Sequence, residues 1–370
     1  MNINTHRWLK TAKTILLWIG IIVGAIVLLA ILVVIGARLI TYCTNHISEK
    51  TGIDEGIYVP LGGQEQYLLI RGENKENPVI IWLHGGPSGS DTFTNYVFTK
   101  HLEDEYTVVG WDQRGCGRTY YRNKKADPNN ETATFDQAQQ DLDELVDYVC
   151  NRFEKKQVIL MGHSYGTMLG SKYALTHPEK VAAYIGVGQV VSFESEIYCY
   201  QDALEKAKAK GDDTRELEAA YKTYLEDSSL MNMLALRSKT SPYHQQEINT
   251  NTNTIWLGVA SPYMGFDDMR WFLKQMGNVE DYLELNRHLY DYVMEADVRD
   301  YGTEYQVPVG FITGSCDWTT PVKYAQDYYD AISAPQKQFH LMTGCGHAPH
   351  YDLPEEFAAT VKAMLKEYLQ

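Results

Sequence analysis

The sequence has no surplus of base: 33 Lys and Arg stand against 48 Asp and Glu, a formal net charge of −15. Such a balance repels a polyanion unless a local basic patch offsets it. None occurs, since Lys and Arg are interspersed with acids, as in Arg152-Phe-Glu-Lys-Lys156. Nucleic acid is therefore not an expected partner. Glycine and proline, 28 and 12 of 370 residues, are too few for long low-complexity tracts. The six cysteines, at 43, 116, 150, 199, 316 and 345, form no C-x-x-C pair and none clusters with His at zinc-finger spacing, so no metal site is expected. A composition of 44% hydrophobic and 22% charged residues is that of a globular chain and excludes intrinsic disorder.

What is present in excess is one apolar run. Residues 14–37 are 24 consecutive positions without a charge. As a helix at about 1.5 Å per residue they span about 36 Å, enough to cross a hydrocarbon core of about 30 Å. A cleaved signal peptide has a shorter apolar core and a small-x-small cleavage site after it. Here Arg38-Leu-Ile-Thr-Tyr-Cys43 follows, so the run reads as an uncleaved transmembrane helix. Arg7, Lys10 and Lys13 precede it and only Arg38 follows directly. The positive-inside rule then puts a tail, residues 1–13, in the cytoplasm. A juxtamembrane linker at 38–51 and the remaining chain fall outside, in a single-pass cell-membrane arrangement.

Beyond the linker, short apolar runs alternate with helical patterns. Residues 78–83, 106–111, 157–161, 181–187, 307–312 and 338–342 are too uniformly apolar for half-exposed strands and suit a sheet buried on both faces. Residues 135–153, 167–176, 321–332 and 355–369 carry helical periodicity. The alternation predicts an α/β fold with a mostly parallel central sheet flanked by helices. Residues 192–304 break the rhythm with helix-favouring runs and no buried strand, which predicts a helical cap inserted into a core of 52–191 and 305–370. Sixteen aromatics between Phe193 and Tyr305 are expected to pack that cap on the core, some of them lining an apolar pocket.

Three turns carry chemistry. Gly162-His-Ser-Tyr-Gly166 matches G-x-S-x-G, after an expected strand and before an expected helix, the setting a nucleophile elbow requires. Asp317 and His347 each follow a later strand, at the carboxyl ends where open α/β sheets place their ligand sites. Ser164, Asp317 and His347 thus form a candidate triad in the chain order Ser…Asp…His. The Gly-rich His84-Gly-Gly-Pro-Ser-Gly89 follows the first buried strand. The backbone N–H of Gly86, with that of Tyr165, is a candidate two-donor oxyanion hole. Cys316 and Cys345 flank Asp317 and His347, so their loops should approach one another, as free thiols or as a disulfide. His163 and His350 are expected to be packing or loop residues.

With these residues the chain resembles the α/β-hydrolase superfamily, and within it the proline iminopeptidase group. The stretches that carry the resemblance are His84-Gly-Gly-Pro87, Asp112-Gln-Arg-Gly-Cys-Gly-Arg-Thr119, Gly162-His-Ser-Tyr-Gly166, Asp317 and His347, within residues 52–370. The resemblance implies release of an N-terminal residue, often proline, from short peptides, without a cofactor. It departs in two places: Ser88 stands where the group usually has glycine, and residues 192–304 contain no Trp-Glu-Gly-like context for glutamates that bind the substrate's α-amine. Glu194 and Glu196 are the candidate substitutes, set against a reading as solvated helix-face acids. Asp112 and Arg114 are expected to be a structural charge pair. The expected reaction is acyl transfer to water on a small or short-peptide substrate. A lidded carboxylesterase or amidase of the same fold is the alternative, and a non-catalytic tethered binding domain a lesser one.

Overall fold

The computed structural model describes residues 3–249 and 253–370. Its centre is an eight-stranded sheet in the order β1-β2-β4-β3-β5-β6-β7-β8. The strands are β1 (Ile53–Leu61), β2 (Gln64–Gly72), β3 (Val79–Leu83), β4 (Thr107–Asp112), β5 (Val158–His163), β6 (Val181–Val187), β7 (Val309–Gly314) and β8 (Lys337–Met342). From β4 onwards every pairing is parallel, and β1 and β2 are the antiparallel exception. The six apolar runs read from the sequence are β3 to β8, but β8, the other edge of the sheet, is only partly buried, with Leu341 exposed, because no further strand covers it.

The hairpin β1–β2 escaped that reading. As the edge strand, β1 carries Asp54, Glu55, Gly56 and Pro60, residues an edge tolerates and a central strand does not. The available signal was Gly62-Gly63, whose φ values of 53° and 77° make the two-residue turn.

Alternation across the sheet explains why the central strands are apolar throughout. In β3, Val79, Ile81 and Leu83 join one core layer, while Ile80 and Trp82 join the other. The first layer is closed by α2 (Phe135–Phe153) and α3 (Tyr165–Thr176), the second by α12 (Pro354–Tyr368). In α2, Leu142, Leu145, Val146 and Val149 form the buried stripe. Thr134 caps its start by accepting from the Gln137 N–H at 3.2 Å, and Glu154 at φ 52° ends it.

Between β6 and β7, seven α-helices lie among the described residues: α4 (Ser195–Lys210), α5 (Arg215–Glu226), α6 (Leu230–Thr240), α7 (Thr254–Ala260), α8 (Phe266–Gln275), α9 (Val279–Leu285) and α10 (Arg287–Glu295). The first three have a small core of their own, with Tyr200, Ala203, Leu217, Tyr224, Met233 and Leu236. Of the expected cap, residues 250–252 lie outside the described residues. Helix α11 (Val322–Ala331) follows β7.

The apolar run lies within α1 (Ile3–Asn45), whose residues 11–33 are exposed throughout. Residues 1–2 of the expected tail are outside the described residues. The expected linker is helical as far as Asn45, since Arg38-Leu-Ile-Thr-Tyr-Cys43 has neither the glycine nor the proline that would stop it.

Candidate active site

Ser164 sits between the last residue of β5 and the first of α3, at φ 52° and ψ −122°. A non-glycine residue is held there only by its surroundings. The flanking glycines allow the turn: a Cβ on Gly162 would collide with the Gly166 carbonyl oxygen, and one on Gly166 with that of Leu83. The Ser164 N–H donates to the Val187 carbonyl at the end of β6, at 3.0 Å. The glycine-rich loop comes so close that a Cβ on Gly85 would stand 3.0 Å from that of Ser164.

Asp317 follows β7 and His347 follows β8, and the structure brings them together: His347 Nδ1 lies 2.9 Å from Asp317 Oδ2. Oδ1 of Asp317 accepts from the N–H groups of Thr319 and Thr320, both at 2.9 Å, and Oδ2 also accepts from the Thr320 hydroxyl at 2.7 Å. Burial would raise the Asp317 carboxyl, but the His347 ring and the Thr320 donors outweigh it and hold the carboxyl below the usual carboxylate range. With Asp317 ionised, His347 Nδ1 is the donor and Nε2 is left as the acceptor. Nε2 has no hydrogen-bond partner among the described residues.

Several contributors had no signal in the sequence. Gly188, at φ 57°, lies behind the pair, where a Cβ would meet His347 Nδ1 at 3.1 Å and Asp317 Oδ2 at 3.3 Å. The loop bearing Gly86 is clamped from the cap: the Ser88 carbonyl accepts from Trp271 Nε1 at 3.0 Å and from the Tyr282 hydroxyl at 3.1 Å, and the Pro87 carbonyl accepts from the Tyr290 hydroxyl at 3.3 Å. Ser88 holds φ 63°, a region that favours glycine, while its hydroxyl donates to Asn286 Oδ1 at 2.9 Å. His347 also lines a cavity of about 480 Å³ with His244, Trp318, Thr319 and Glu247. Glu247 lies against Gly346, its carboxylate where a Cβ on that glycine would fall. It sits on an exposed segment after α6 with no pattern to single it out.

Other expected residues are placed differently. Glu194 is exposed and paired with Arg299 at 3.0 Å. Glu196 is not a solvated acid: its side chain is 1% exposed and held by Arg237, which also donates to the Thr319 carbonyl at 3.2 Å. Asp112 and Arg114 do not pair with each other. Arg114 makes a two-pronged bond to Asp141, at 2.7 and 2.9 Å, whereas Asp112 accepts from Ser90, Thr92 and the Arg118 N–H. Asp112 is the last residue of β4 and Arg114 lies in the turn beyond it, so each side chain meets a different element. The Cys316 N–H donates to the Cys345 carbonyl at 2.9 Å, so the loops do approach, and both cysteines are free thiols.

His163 and His350 pack beside the site. The two rings lie 4.5 Å apart, and His163 stacks parallel to Trp82. Burial lowers the His163 pKa to about 3, and it pushes His350 well below its ordinary value. Both rings are neutral. No group of three or more His, Cys, Asp or Glu able to hold a metal ion occurs among the described residues.

Among known families, the model described as alpha/beta hydrolase fold matches residues 78–354. The "Probable aminopeptidase YbaC" of Bacillus subtilis (strain 168) is 26% identical over 337 residues, covering 87% of this chain and 100% of its own. A proline iminopeptidase of Lactobacillus helveticus (strain DPC 4571) is 24% identical over 325 residues, or 84% of this chain and 97% of its own. The crystal structure of proline iminopeptidase from Mycobacterium smegmatis superposes with a TM-score of 0.57 at 20% identity, over 85% of this chain and 98% of that one. At that identity the likeness is one of fold.

Proposed function

This chain belongs to the alpha/beta hydrolase fold family, and from that premise we propose that it is a membrane-anchored serine aminopeptidase that releases N-terminal residues, proline by preference, from short peptides. The observation that carries the reading is the 2.9 Å contact of His347 Nδ1 with Asp317, which leaves Nε2 unpartnered while Ser164 is bonded through its N–H to the neighbouring strand end. In this reading Nε2 takes the Ser164 proton as Oγ attacks the substrate carbonyl. Asp317 holds the tautomer and stabilises the imidazolium. The N–H groups of Gly86 and Tyr165 receive the oxyanion, and the first turn of α3 adds its dipole. His347 then protonates the leaving amine, and water releases the acyl group by the same steps in reverse. No cofactor takes part.

An aminopeptidase meets a free α-ammonium group, which an anion beside the site would hold. Glu194 and Glu196 are occupied by Arg299 and Arg237. Glu247, beside Gly346 and in the cavity that His347 lines, takes that part in this reading. The same occupation of Glu194 and Glu196 favours a second reading, a lidded carboxylesterase or amidase. In both, residues 14–37 of α1 cross the membrane, the short N-terminal tail is cytoplasmic and the hydrolase lies outside.

The test uses the full chain in detergent beside its Ser164→Ala variant, with a proline anilide bearing a free amine, its N-acylated form and a short-chain aryl ester. Turnover confined to the free amine supports the aminopeptidase. Ester turnover with both anilides inert replaces it with the esterase, and activity retained by Ser164→Ala discards the triad.

A further inference from the structure

Helix α8 is turned inside out. Its buried side carries Asp268, bound to Arg118 at 2.6 Å, and Trp271. Its outer side carries Phe266, Met269 and Leu273, continued by Met276 just beyond the helix, at 70%, 44%, 61% and 64% exposure. Positions spaced by three and four residues form one stripe on a helix. On α7, Ile255 and Trp256 are exposed as well. An exposed apolar stripe along one helix face marks a contact site.

The attachment of α1 identifies what covers it. Among residues 11–45 of α1, those up to Val33 are exposed, and Val34, Ala37 and Arg38 are half-buried. Arg38 Nε donates to the Val259 carbonyl at 2.9 Å and its Nη1 to the Met264 carbonyl at 3.3 Å. Val259 belongs to α7, and Met264 stands two residues before Phe266. Arg38 is the first charged residue after the apolar run 14–37. The end of the membrane-crossing stretch is thus fixed to the segment that joins α7 to α8, and the apolar stripe begins within two residues of that joint. Lys274 borders the stripe, as does Arg270, whose guanidinium is paired with Asp267 at 3.0 Å.

We infer that the outer faces of α7 and α8 are a bilayer-contact surface, on which Ile255, Trp256, Phe266, Met269, Leu273 and Met276 enter the acyl region of the leaflet from which α1 emerges. The inference rests on α1 being a membrane span. It also ties the leaflet to the site, because the buried side of α8 supplies the Trp271 donor to the Ser88 carbonyl.

The test places one environment-sensitive fluorophore at a time on the full chain, in a Cys43→Ser background that removes the exposed native thiol. Labels go on Leu273→Cys, on Leu225→Cys as an exposed position of α5 away from the stripe, and on Leu28→Cys within α1. The protein is reconstituted in phosphatidylcholine and phosphatidylglycerol vesicles, with and without acyl-chain bromination. The expected result is quenching by brominated lipid of about twofold or more at 273 and 28, and none at 225. Quenching at 28 with position 273 open to aqueous iodide overturns the surface while leaving the span intact. No quenching at 28 overturns both. Position 273 shielded from iodide yet untouched by brominated lipid assigns the stripe to a second copy of the chain and overturns the bilayer contact.

Discussion

At the scale of single residues, the candidate site is built as much by what is missing behind it as by the groups proposed to react. Gly188 backs the His347–Asp317 pair at a positive φ, so Gly188→Ala adds both strain and a methyl 3.1 Å from His347 Nδ1. A displaced ring is expected to lower kcat about 10- to 100-fold with KM little changed, measured by steady-state kinetics beside a melting curve. Asp317→Asn keeps the shape but reverses the tautomer preference of His347, and kcat should fall about 10⁴-fold. The glutamates separate by readout. Glu247→Gln is expected to raise KM about tenfold, about 1.4 kcal/mol, for the free-amine anilide and to leave the ester unchanged. Glu196→Gln instead strands Arg237, whose side chain is 24% exposed, and should cost about 2–3 kcal/mol of stability in denaturant titration without that selectivity. Ser88 holds its φ of 63° while its hydroxyl donates to Asn286 Oδ1 at 2.9 Å.

At the scale of elements, the cap fixes the glycine-rich loop. Trp271 from α8, Tyr282 from α9 and Tyr290 from α10 all donate to the carbonyls of Pro87 and Ser88. Removing the donors in the double variant Trp271→Phe/Tyr282→Phe keeps most of the packed volume and loosens the loop. The expected outcome is a loss in kcat of about 10-fold or more, in line with an oxyanion donor moved out of position. A fall in Tm without a fall in kcat would assign those bonds to stability alone. The elements were legible where their period was strong, as in α2, whose span of 135–153 followed from its helical periodicity. They were not legible in β1, where Asp54, Glu55 and Pro60 hide an edge strand whose pairing comes only from Gly62-Gly63 and β2.

For the whole molecule, buried histidines and buried carboxyls pull stability in opposite directions as the pH falls: burial raises Asp91 to about 7 and Asp268 to about 6, so both contribute stability that is lost as pH rises through those values. His84 is fully buried with its pKa lowered to about 4 by burial, His163 is lowered to about 3, and His350 falls well below its ordinary value. Below about pH 6.5 the unfolded chain takes up protons that these folded rings refuse. The stability they contribute is complete above that pH and falls as the pH drops towards 4 and 3, by up to about 1.4 kcal/mol per pH unit for each ring. The histidine contribution is therefore read as a difference: in denaturant titrations from pH 7 to 4.5, His350→Phe, which replaces a ring with no hydrogen-bond partner among the described residues, should lose less stability than the parent as the pH falls. The same pH dependence in His350→Phe and the parent would contradict neutral burial of that histidine.

The sequence by itself determined the class of fold, the membership of the alpha/beta hydrolase fold family and the apolar character of residues 14–37, because each is written in local pattern: buried strands read as apolar runs, the Gly162–Gly166 turn needs its glycines, and a span needs its length. Only the tertiary structure decided which charges meet. Arg114 found Asp141, Glu196 found Arg237, and Gly188 came to lie against His347, all through contacts between residues distant in sequence. Side-chain pairing depends on how helices and strands stack, and no period in the chain records that. For the same reason the outward apolar stripe of α8 reads in the sequence as an ordinary buried face. Its direction was fixed by Asp268 and Trp271 packing inward on Arg118 and the glycine-rich loop.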